Sequence, residues 1–525
     1  MFDRRRLLQS AALGAGLVAV GGPAFARQAG ASQGDAAAQL KTFMDATFEQ
    51  TLDKSPEVVT MFGLDKGDRA AAKSKLTVPT RAEEDDQRAF TRRQRAELSR
   101  IDRSKLDARN ANYYDSLTQN LDGVIATYDI PYGQGGWPNP YRVSQQGGAY
   151  QSTPDFLANQ HTIETAADAD AYVARVNAFA DVLLAETDRL KEDYALGVIP
   201  PDFILAKAIR QQDGVLATPA ATSPLTQSVV DRARAKGLTG DWGAQVERLV
   251  TERVYPALAA QNAVLKAAQP NAVHEASVRR LPQGEQYYAN SLRYITTTRL
   301  TADEIHRTGV EQMADLTARA DVLLKAQGLT QGSVAERIKA LGDDPKYVYA
   351  NTDAGKAELI AKLNAQMADM QARLPNAFGR LPKAKVEIKR VPPEIEAGAP
   401  MGYYNSPSLD GTRPGIYWIN LKDTAEWPSW TLPTLTYHEA TPGHHLQISL
   451  QQESESAPLL MNLLGFSSYV EGWGLYAEQL ADELGAYEND PVGQIGYLQS
   501  LMFRAARLVV DTGIHSKGWS REEGI

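Results

Sequence analysis

The chain has 525 residues, of which 43% are hydrophobic and 23% charged, a composition typical of a soluble globular protein with a sizeable core. Its formal charge of -9 argues against nucleic acid as a partner, because that would require a basic surface. The sequence contains no cysteine, which excludes disulfides and thiolate ligands, so any metal ion would be held by histidines and carboxylates.

The N-terminus has the pattern of an export signal. Arginines at positions 4–6 precede an apolar stretch over 7–20, and the small-x-small sequence at 24–26 is typical of a cleavage site. The apolar stretch is too short to span a bilayer, and the arginines resemble the twin-arginine export motif. We therefore predict a signal peptide over 1–26, a periplasmic or otherwise exported bacterial protein, and no stable membrane span. An ordinary signal with a basic start is the alternative.

Helices are predicted along most of the chain. Over 35–374, apolar residues recur at intervals of three and four, as in amphipathic helices. A capping box predicts a helix over 301–324, and the Ser-Thr-Pro-Asp sequence at 152–155 predicts the start of a shorter one. There is no internal repeat and no long linker, so we predict a mainly α protein with a single domain over 27–525.

The pattern changes over 383–421, where alternating, β-branched and aromatic residues predict a small β-sheet. Its strands are expected near 385–391 and 415–421, with a turn-rich loop at 406–415 between them. Helical pattern then returns, and the chemical signals concentrate in the last fifth of the chain. We therefore assign the catalytic part to about 383–525.

A candidate metal motif, His-Glu-Ala-Thr-Pro-Gly-His-His, begins at His438. In the zinc peptidase motif His-Glu-x-x-His, two histidines one helical turn apart bind the metal and the glutamate activates a water molecule. Pro442 stands where the second histidine would be, and a proline there breaks or kinks the helix. The inserted Pro-Gly would carry His444 to the position of the second ligand. We predict His438 and His444 as ligands and Glu439 as the general base.

A third ligand is expected further along the chain. Glu471 follows His438 by 33 positions, within a Glu-Gly-Trp-Gly-Leu-Tyr-Ala-Glu sequence that ends at Glu478. Glu478 falls two helical turns later on the same face, where it would orient a zinc-bound histidine. His445 is an alternative ligand to His444, or a group beside the metal. It is less favoured because an unbroken helix would put it about 10.5 Å from His438. A structural polar cluster without metal is the alternative for the whole set.

These motifs resemble the bacterial "domain of unknown function 885" family, which shares His-Glu-x-x-Pro-Gly-His-His and a downstream Glu-Gly-Trp-x-Leu-Tyr-x-Glu. The match is most specific over 403–519, where Asp-Gly-Thr-Arg-Pro-Gly from Asp410 and Asp-Thr-Gly-Ile-His from Asp511 also fit. That family resembles helical gluzincin peptidases such as carboxypeptidase Taq and angiotensin-converting enzyme. The resemblance implies a large helical body with a deep cleft and a peptide substrate. It also implies that the strand over 416–421 borders the cleft, where its edge would pair with the extended substrate.

The resemblance also bears on the C-terminus. Family members usually continue for several helices past the Trp-Ser-Arg-Glu-Glu sequence that begins here at Trp519, whereas this sequence stops at Ile525. Its Ser-Arg-Glu-Glu portion is itself a typical helix start. The resemblance therefore implies a truncated chain whose substrate pocket lacks some of its parts.

Three protein ligands would leave a fourth position on one zinc ion per chain for a water molecule, whose proton Glu439 would take. Further residues are candidates for binding the developing oxyanion or the substrate. The candidates for binding the oxyanion are His515, Tyr469 and Arg413, and those for binding the substrate are Arg413, Tyr403 and Tyr417. Each of these candidates also has a structural alternative. His515 would be a capping or surface imidazole, Arg413 would form a salt bridge in its loop, and Tyr403 and Tyr417 would pack in the core.

The sequence thus predicts an exported zinc-dependent hydrolase that cleaves peptide bonds of oligopeptides. One alternative is a periplasmic binding or scaffold protein with a vestigial metal site, although a site that only binds needs no general base such as Glu439. Another is a metal-dependent hydrolase of a non-peptide amide or ester, because fold does not fix substrate. The sequence does not choose between endo- and exopeptidase action and predicts no oligomeric state.

Overall fold

The structure, a computed structural model, describes residues 33–391, 393, 396 and 400–525. The predicted signal peptide over 1–26 lies outside these residues. Helices dominate the described chain and are accompanied by one small sheet, which confirms the prediction of a mainly α fold. None of the described helices is long and apolar enough to cross a membrane.

The N-terminal half consists of helices joined by short turns. Their bounds are α1 (Gln33–Lys54), α2 (Pro56–Met61), α3 (Arg81–Leu98), α4 (Ala108–Tyr128), α5 (Ala149–Asn159), α6 (Ala166–Ala195), α7 (Asp202–Ala217), α8 (Pro224–Ala235), α9 (Trp242–Leu249) and α10 (Tyr255–Ala268). A π-helical segment, Val250–Val254, joins α9 to α10. Helices α5 to α10 share a core that includes Tyr172, Phe179 and Trp242.

The C-terminal half carries the sheet and the remaining helices. The helices are α11 (Gly284–Thr296), α12 (Ala302–Ala326), α13 (Val334–Gly342), α14 (Asp353–Arg373), α15 (Leu432–Glu439), α16 (His444–Gln452), α17 (Ser467–Glu483), α18 (Pro491–Ser516) and α19 (Arg521–Gly524). The short helix α15 lies between two cores. Tyr437 packs in one of them with residues of α12 and α18, and Leu432 packs in the other with α14 and the sheet. This double packing fixes the position of the residues that follow Tyr437.

The sheet has three strands, β1 (Val386–Arg390), β2 (Gly402–Asn405) and β3 (Gly415–Ile419), in the order β1-β3-β2. Strand β3 is central, parallel to β1 and antiparallel to β2, and every residue in it is buried. A strand covered on both faces reads as a continuous apolar run, which explains why the sequence pattern revealed it. The sheet is therefore where it was predicted. The expectation that the β3 edge is available for a peptide is wrong, because both of its edges are paired.

Two predicted helix starts have different outcomes. The capping box at Thr301 is present and opens α12, as predicted. The predicted start at Ser152 is wrong, because α5 already begins at Ala149. The Ala149 backbone N–H donates to the buried carboxylate of Glu186 at 3.0 Å, so a residue distant in sequence replaces the local cap. The Ser152 hydroxyl instead donates to the Gly148 carbonyl, and Pro154 lies inside the helix.

Candidate metal centre

The helix break predicted at Pro442 is present. Helix α15 ends at Glu439, and α16 begins at His444 after a short connection that contains a cis peptide bond before Pro442. The connection folds back tightly, because a Cβ atom on Gly443 would lie only 1.8 Å from the His438 carbonyl oxygen. As a result, the rings of His438 and His444 lie 4.6 Å apart between centroids, at an angle of 81°.

Three predicted ligands lie together. His438, His444 and Glu471 each offer an atom within 4.8 Å of the others. The Nε2 atom of His438 is 3.4 Å from Glu471 Oε2, and Nε2 of His444 is 3.8 Å from Glu471 Oε1. Tetrahedral zinc with bonds of about 2.0–2.2 Å separates its ligand atoms by roughly 3.3–3.6 Å. The separation of His438 and Glu471 lies in this range and that of His444 and Glu471 is slightly longer, so the three side chains have the donor types and the approximate spacing that a zinc ion needs.

Glu478 orients His438. Its Oε1 atom lies 2.9 Å from Nδ1 of His438, and its other oxygen accepts a hydrogen bond from the Thr434 hydroxyl. His438 and Glu478 are only 2% and 1% exposed. Because the carboxylate holds a proton on Nδ1, the neutral His438 ring would present its Nε2 lone pair to a metal, which is the tautomer that a metal requires.

Helix α17 approaches His438 closely at Gly474. A Cβ atom at this position would lie 2.5 Å from the His438 ring. Two residues earlier on the same helix, a Cβ on Gly472 would meet nothing within 4 Å. Only Gly474 is therefore required for the close approach of α17, the helix that carries both Glu471 and Glu478.

Glu439 is a buried carboxyl group without a partner. Its side chain is 7% exposed and forms no hydrogen bond or ion pair within the described part of the chain. Burial raises its pKa to about 7, and the nearby Glu471 carboxylate contributes in the same direction. A carboxyl group with a pKa near neutrality can accept and return a proton at the pH of most compartments.

The two neighbouring histidines differ in how they are held. His445 has both ring nitrogens engaged, because Nε2 donates to the Ala384 carbonyl at 3.1 Å and Nδ1 accepts from the Tyr404 hydroxyl at 2.9 Å. His444 is not committed in this way, since its Nδ1 atom is buried without a hydrogen-bond partner among the described residues. Burial lowers the pKa of both imidazoles to about 4, so both are neutral near pH 7. The arrangement favours His444 as the ligand.

Arg504 on α18 completes the cluster and was not among the predicted site residues. Its guanidinium lies 3.4 Å from Glu471 Oε2 and 3.2 Å from His438 Nε2. When the two ligand imidazoles are neutral, as metal binding requires, and all three carboxylates are ionised, Glu439, Glu471 and Glu478 together with Arg504 carry an excess of two negative charges. A divalent cation would balance that excess.

His438 itself responds to these charges. Burial alone would lower its pKa, but the hydrogen bonds with Glu471 and Glu478 outweigh burial and raise the pKa to about 9. The hydrogen bond with His438 holds the pKa of Glu471 well below its usual value. Without a metal, a proton is therefore held between His438 and Glu471, which are two of the three side chains that would bind the metal.

Three other predicted site residues are not part of this cluster. His515 lies eleven residues after Arg504 on α18, roughly 16 Å along the helix, and contacts Val278 and Tyr288 instead. Tyr469 is 57% exposed at the start of α17. Arg413 donates to Gln160 and to the Met61 carbonyl, so its guanidinium attaches the loop before β3 to the N-terminal helices.

The two predicted substrate-binding tyrosines lie in the sheet. Tyr417 in β3 is fully buried in the core with α14, and burial raises its pKa well above the usual value. The charge of Glu439 is close enough to contribute to that rise. Tyr403 in β2 stacks on Trp418 with ring centroids 6.3 Å apart. Its neighbour Tyr404 is the tyrosine that contacts the candidate metal motif, through His445.

A mainly α fold with a buried histidine and carboxylate cluster is thus the structural class of this protein. The chain belongs to the family described as "Bacterial protein of unknown function (DUF885)", whose model matches residues 56–525. This match confirms the family resemblance of the sequence motifs. No curated protein matches the sequence.

Two solved structures are similar to this one. One is described as "The crystal structure of the putative lipoprotein from Colwellia psychrerythraea". It is 31% identical, has a TM-score of 0.88, and the match covers 93% of this chain and 85% of that one. The other, described as a "putative lipoprotein of unknown function from Shewanella oneidensis", is 17% identical with a TM-score of 0.63, and the match covers 94% and 85% of the two chains. The second likeness concerns the fold alone.

Proposed function

We propose that the protein is an exported zinc-dependent hydrolase that cleaves peptide bonds and resembles the gluzincin peptidases. The observation that carries the proposal is the convergence of His438, His444 and Glu471 within 4.8 Å, directly beside a buried glutamate that has no partner among the described residues. A site that only bound a metal would need the three ligands but not the unpaired Glu439. The cluster thus has the parts of a hydrolytic centre.

His438, His444 and Glu471 would hold the zinc ion, with Glu478 fixing the orientation of His438 from behind. When bound, zinc polarises a carbonyl group and lowers the pKa of a water molecule toward neutrality. Glu439 accepts the proton of the attacking water, since its own pKa of about 7 allows it to change protonation state near neutral pH. Glu439 then returns that proton to the amine that leaves.

Arg504 is the strongest candidate for binding the oxygen on which negative charge develops. Its guanidinium lies at the centre of the cluster, 3.4 Å from Glu471, and its Nε atom is buried without a hydrogen-bond partner within the described chain. A fixed cation with a free N–H group stabilises a developing oxyanion without reorganisation. This assignment replaces the earlier candidates His515, Tyr469 and Arg413, which lie elsewhere or are engaged in other contacts.

A peptide substrate fits the position of strand β2. In the described sheet, β2 pairs with β3 on one side only, and its Tyr404 ring lies 6.4 Å from the His444 ring. An extended peptide can add to a free strand edge through main-chain hydrogen bonds. We therefore assign to β2 the peptide-binding role that the sequence had suggested for β3.

Export is part of the same proposal. The sequence predicts a signal peptide over 1–26, and both similar structures carry the word lipoprotein in their descriptions. A mature protein that begins near position 27 and accumulates in the periplasm would support this part, which mass spectrometry of a cell fraction can measure.

The activity is tested by peptide hydrolysis with the purified protein. Wild-type protein with zinc should cleave a mixture of oligopeptides, and a chelator or the His438→Ala substitution should abolish cleavage. The matched control is His274→Ala, because His274 is exposed and lies outside the metal cluster. Hydrolysis of simple esters or non-peptide amides with no peptide cleavage would favour the other metal-dependent hydrolase. No hydrolysis by wild-type protein with zinc bound would contradict both.

A further inference from the structure

A second site is an open pocket of about 600 Å³ between α11, the start of α12 and the end of α18. Its walls are partly apolar, and the charged residues among them are predominantly basic. The charged and imidazole side chains that line it are Arg279, Arg293, Arg299, Glu285 and His515. Three guanidinium groups against one carboxylate leave the lining with an excess of positive charge, which suits an anionic ligand.

Two of these arginines are available. Arg279 is engaged, since it pairs with Glu285 and donates to the Ser516 carbonyl at 2.8 Å. The side chains of Arg293 and Arg299 form no ion pair and no hydrogen bond within the described residues. Guanidinium groups bind carboxylates through two parallel hydrogen bonds, so two unengaged arginines that line the same pocket provide donors for a carboxylate.

His515 adds a directed donor to the same pocket. Its Nδ1 atom accepts the Val278 backbone N–H at 3.1 Å, which places the ring proton on Nε2. The ring packs against Tyr288 with centroids 5.4 Å apart, and burial lowers the pKa of His515. The neutral imidazole therefore offers one N–H group in a residue that lines the pocket.

The pocket is related to the metal centre through two helices. Arg504 and His515 are eleven residues apart on α18, which is three turns, so they project from nearly the same face about 16 Å apart. The end of α11 also contacts the helix that carries Glu471. The hydroxyl of Thr297, just after α11, lies 2.9 Å from the hydroxyl of Ser468, which is three residues before Glu471 on α17. An extended peptide spans such a distance with about five residues at 3.3 Å each.

We propose that this pocket binds a carboxylate of the peptide substrate, about five residues from the scissile bond. The carboxylate is either the C-terminus or an acidic side chain. This inference rests on the proposed peptidase function for its substrate, but the pocket is formed by residues outside the metal cluster. Acidic peptides of about six or more residues would then be cleaved better than neutral or short ones.

The test compares matched peptides. One set carries Glu or Gln five residues from the cleaved bond, and another carries a free or an amidated C-terminus at the same place. Wild-type protein should cleave the peptides with the carboxylate about tenfold faster in kcat/KM. The Arg293→Ala/Arg299→Ala double variant should lose this preference and keep its rate on the neutral peptides. Arg109→Ala, an exposed arginine on α4 without an ion pair in the described chain, should behave as wild type.

The outcomes separate this inference from the proposed function. Cleavage with equal rates on acidic and neutral peptides, or a preference that the double variant retains, would overturn the pocket assignment and leave the peptidase intact. Binding of the acidic peptide to Glu439→Gln protein, measured by calorimetry, should also be weakened about tenfold by the double substitution. If wild type cleaves nothing but binds the acidic peptide through these arginines, the function fails and the carboxylate pocket stands. If inorganic phosphate binds as tightly as the peptide and displaces it, the pocket is a site for free anions and the proposal is wrong.

Discussion

Two buried glutamates, one in the N-terminal helices and one in the candidate metal centre, have the same raised pKa and different surroundings. Burial raises the pKa of Glu186 and that of Glu439 to about 7. Glu186 accepts hydrogen bonds from the Ala149 backbone at 3.0 Å and from the Gln261 amide at 2.9 Å. Glu439 accepts none from the described residues.

The comparison teaches that a perturbed pKa does not by itself identify a catalytic group. Glu186 holds the start of α5 against the neighbouring helices, and its oxygens are satisfied by the protein. Glu439 is also desolvated but has no compensating bond from the described residues, which is unusual for a buried polar group and calls for a functional explanation. We therefore expect substitutions of Glu439 to affect chemistry and substitutions of Glu186 to affect stability.

The largest effect is expected for Glu439→Gln. The amide has nearly the same shape but cannot accept the proton of the attacking water, so kcat/KM should fall by about 10³- to 10⁴-fold. Because the three ligands are unchanged, zinc content should stay the same and stability should change little. A variant that keeps more than a tenth of wild-type activity would remove Glu439 from the mechanism.

The second effect concerns the pH dependence of stability. Folding raises the pKa of Glu186 from 4.5 to about 7, so the folded protein holds this proton more tightly than the unfolded chain. The stability from that proton is lost as pH rises through this window, by up to about 3 kcal/mol. Glu186→Gln has no such proton to lose. Denaturant titrations measure the free energy of unfolding of both proteins. The value for wild type minus that for the variant should fall as the pH rises from 5 to 7.5. A constant difference would show that Glu186 is ionised throughout this range.

A third prediction concerns the orientation of His438. Glu478→Gln removes the charge that holds the proton on Nδ1, so the affinity for zinc should fall by about 10- to 100-fold. Competition with a chromogenic chelator measures this affinity. An unchanged affinity would mean that Glu478 serves only to bind Thr434 within the core.

The smallest effect is expected at the contact between α17 and His438. Gly474→Ala would place a methyl group against the His438 ring and should reduce zinc affinity by about tenfold, whereas Gly472→Ala meets open space. The second substitution should leave affinity unchanged and even favour the helix slightly. Equal effects of the two variants would indicate a general response of the helix and not a specific contact.

Much of the fold and the metal cluster could be predicted from local patterns. The three- and four-residue spacing gave the helices, and the apolar run of β3 gave the sheet, because both patterns reflect burial of one or both faces. The proline at position 442 predicted the helix break, since a proline there lacks the N–H group that the helix needs. The short strand β2 was missed because four half-buried residues carry no clear alternation.

Residues distant in sequence account for the remaining errors. Arg504 follows Glu471 by 33 positions, and no spacing rule relates the two, yet their side chains meet. Tyr404 joins the motif through His445 only because the sheet packs there. Arg413, His515 and Tyr469 have residue types suited to catalysis, but periodicity reports which face of an element is buried and not which partner it meets. The same limit concealed the Glu186 cap of α5.

The most direct test of the account is a calorimetric titration of metal-free protein with zinc. We predict binding of close to one zinc per chain by the wild type and by Glu455→Gln, an exposed control, and loss of that binding in Glu471→Gln. Glu471 is suited to this test because its side chain is 49% exposed, so the substitution should not affect folding. Stoichiometric binding that depends on Glu471 would support the metal centre, and no stoichiometric binding by the wild type would contradict it.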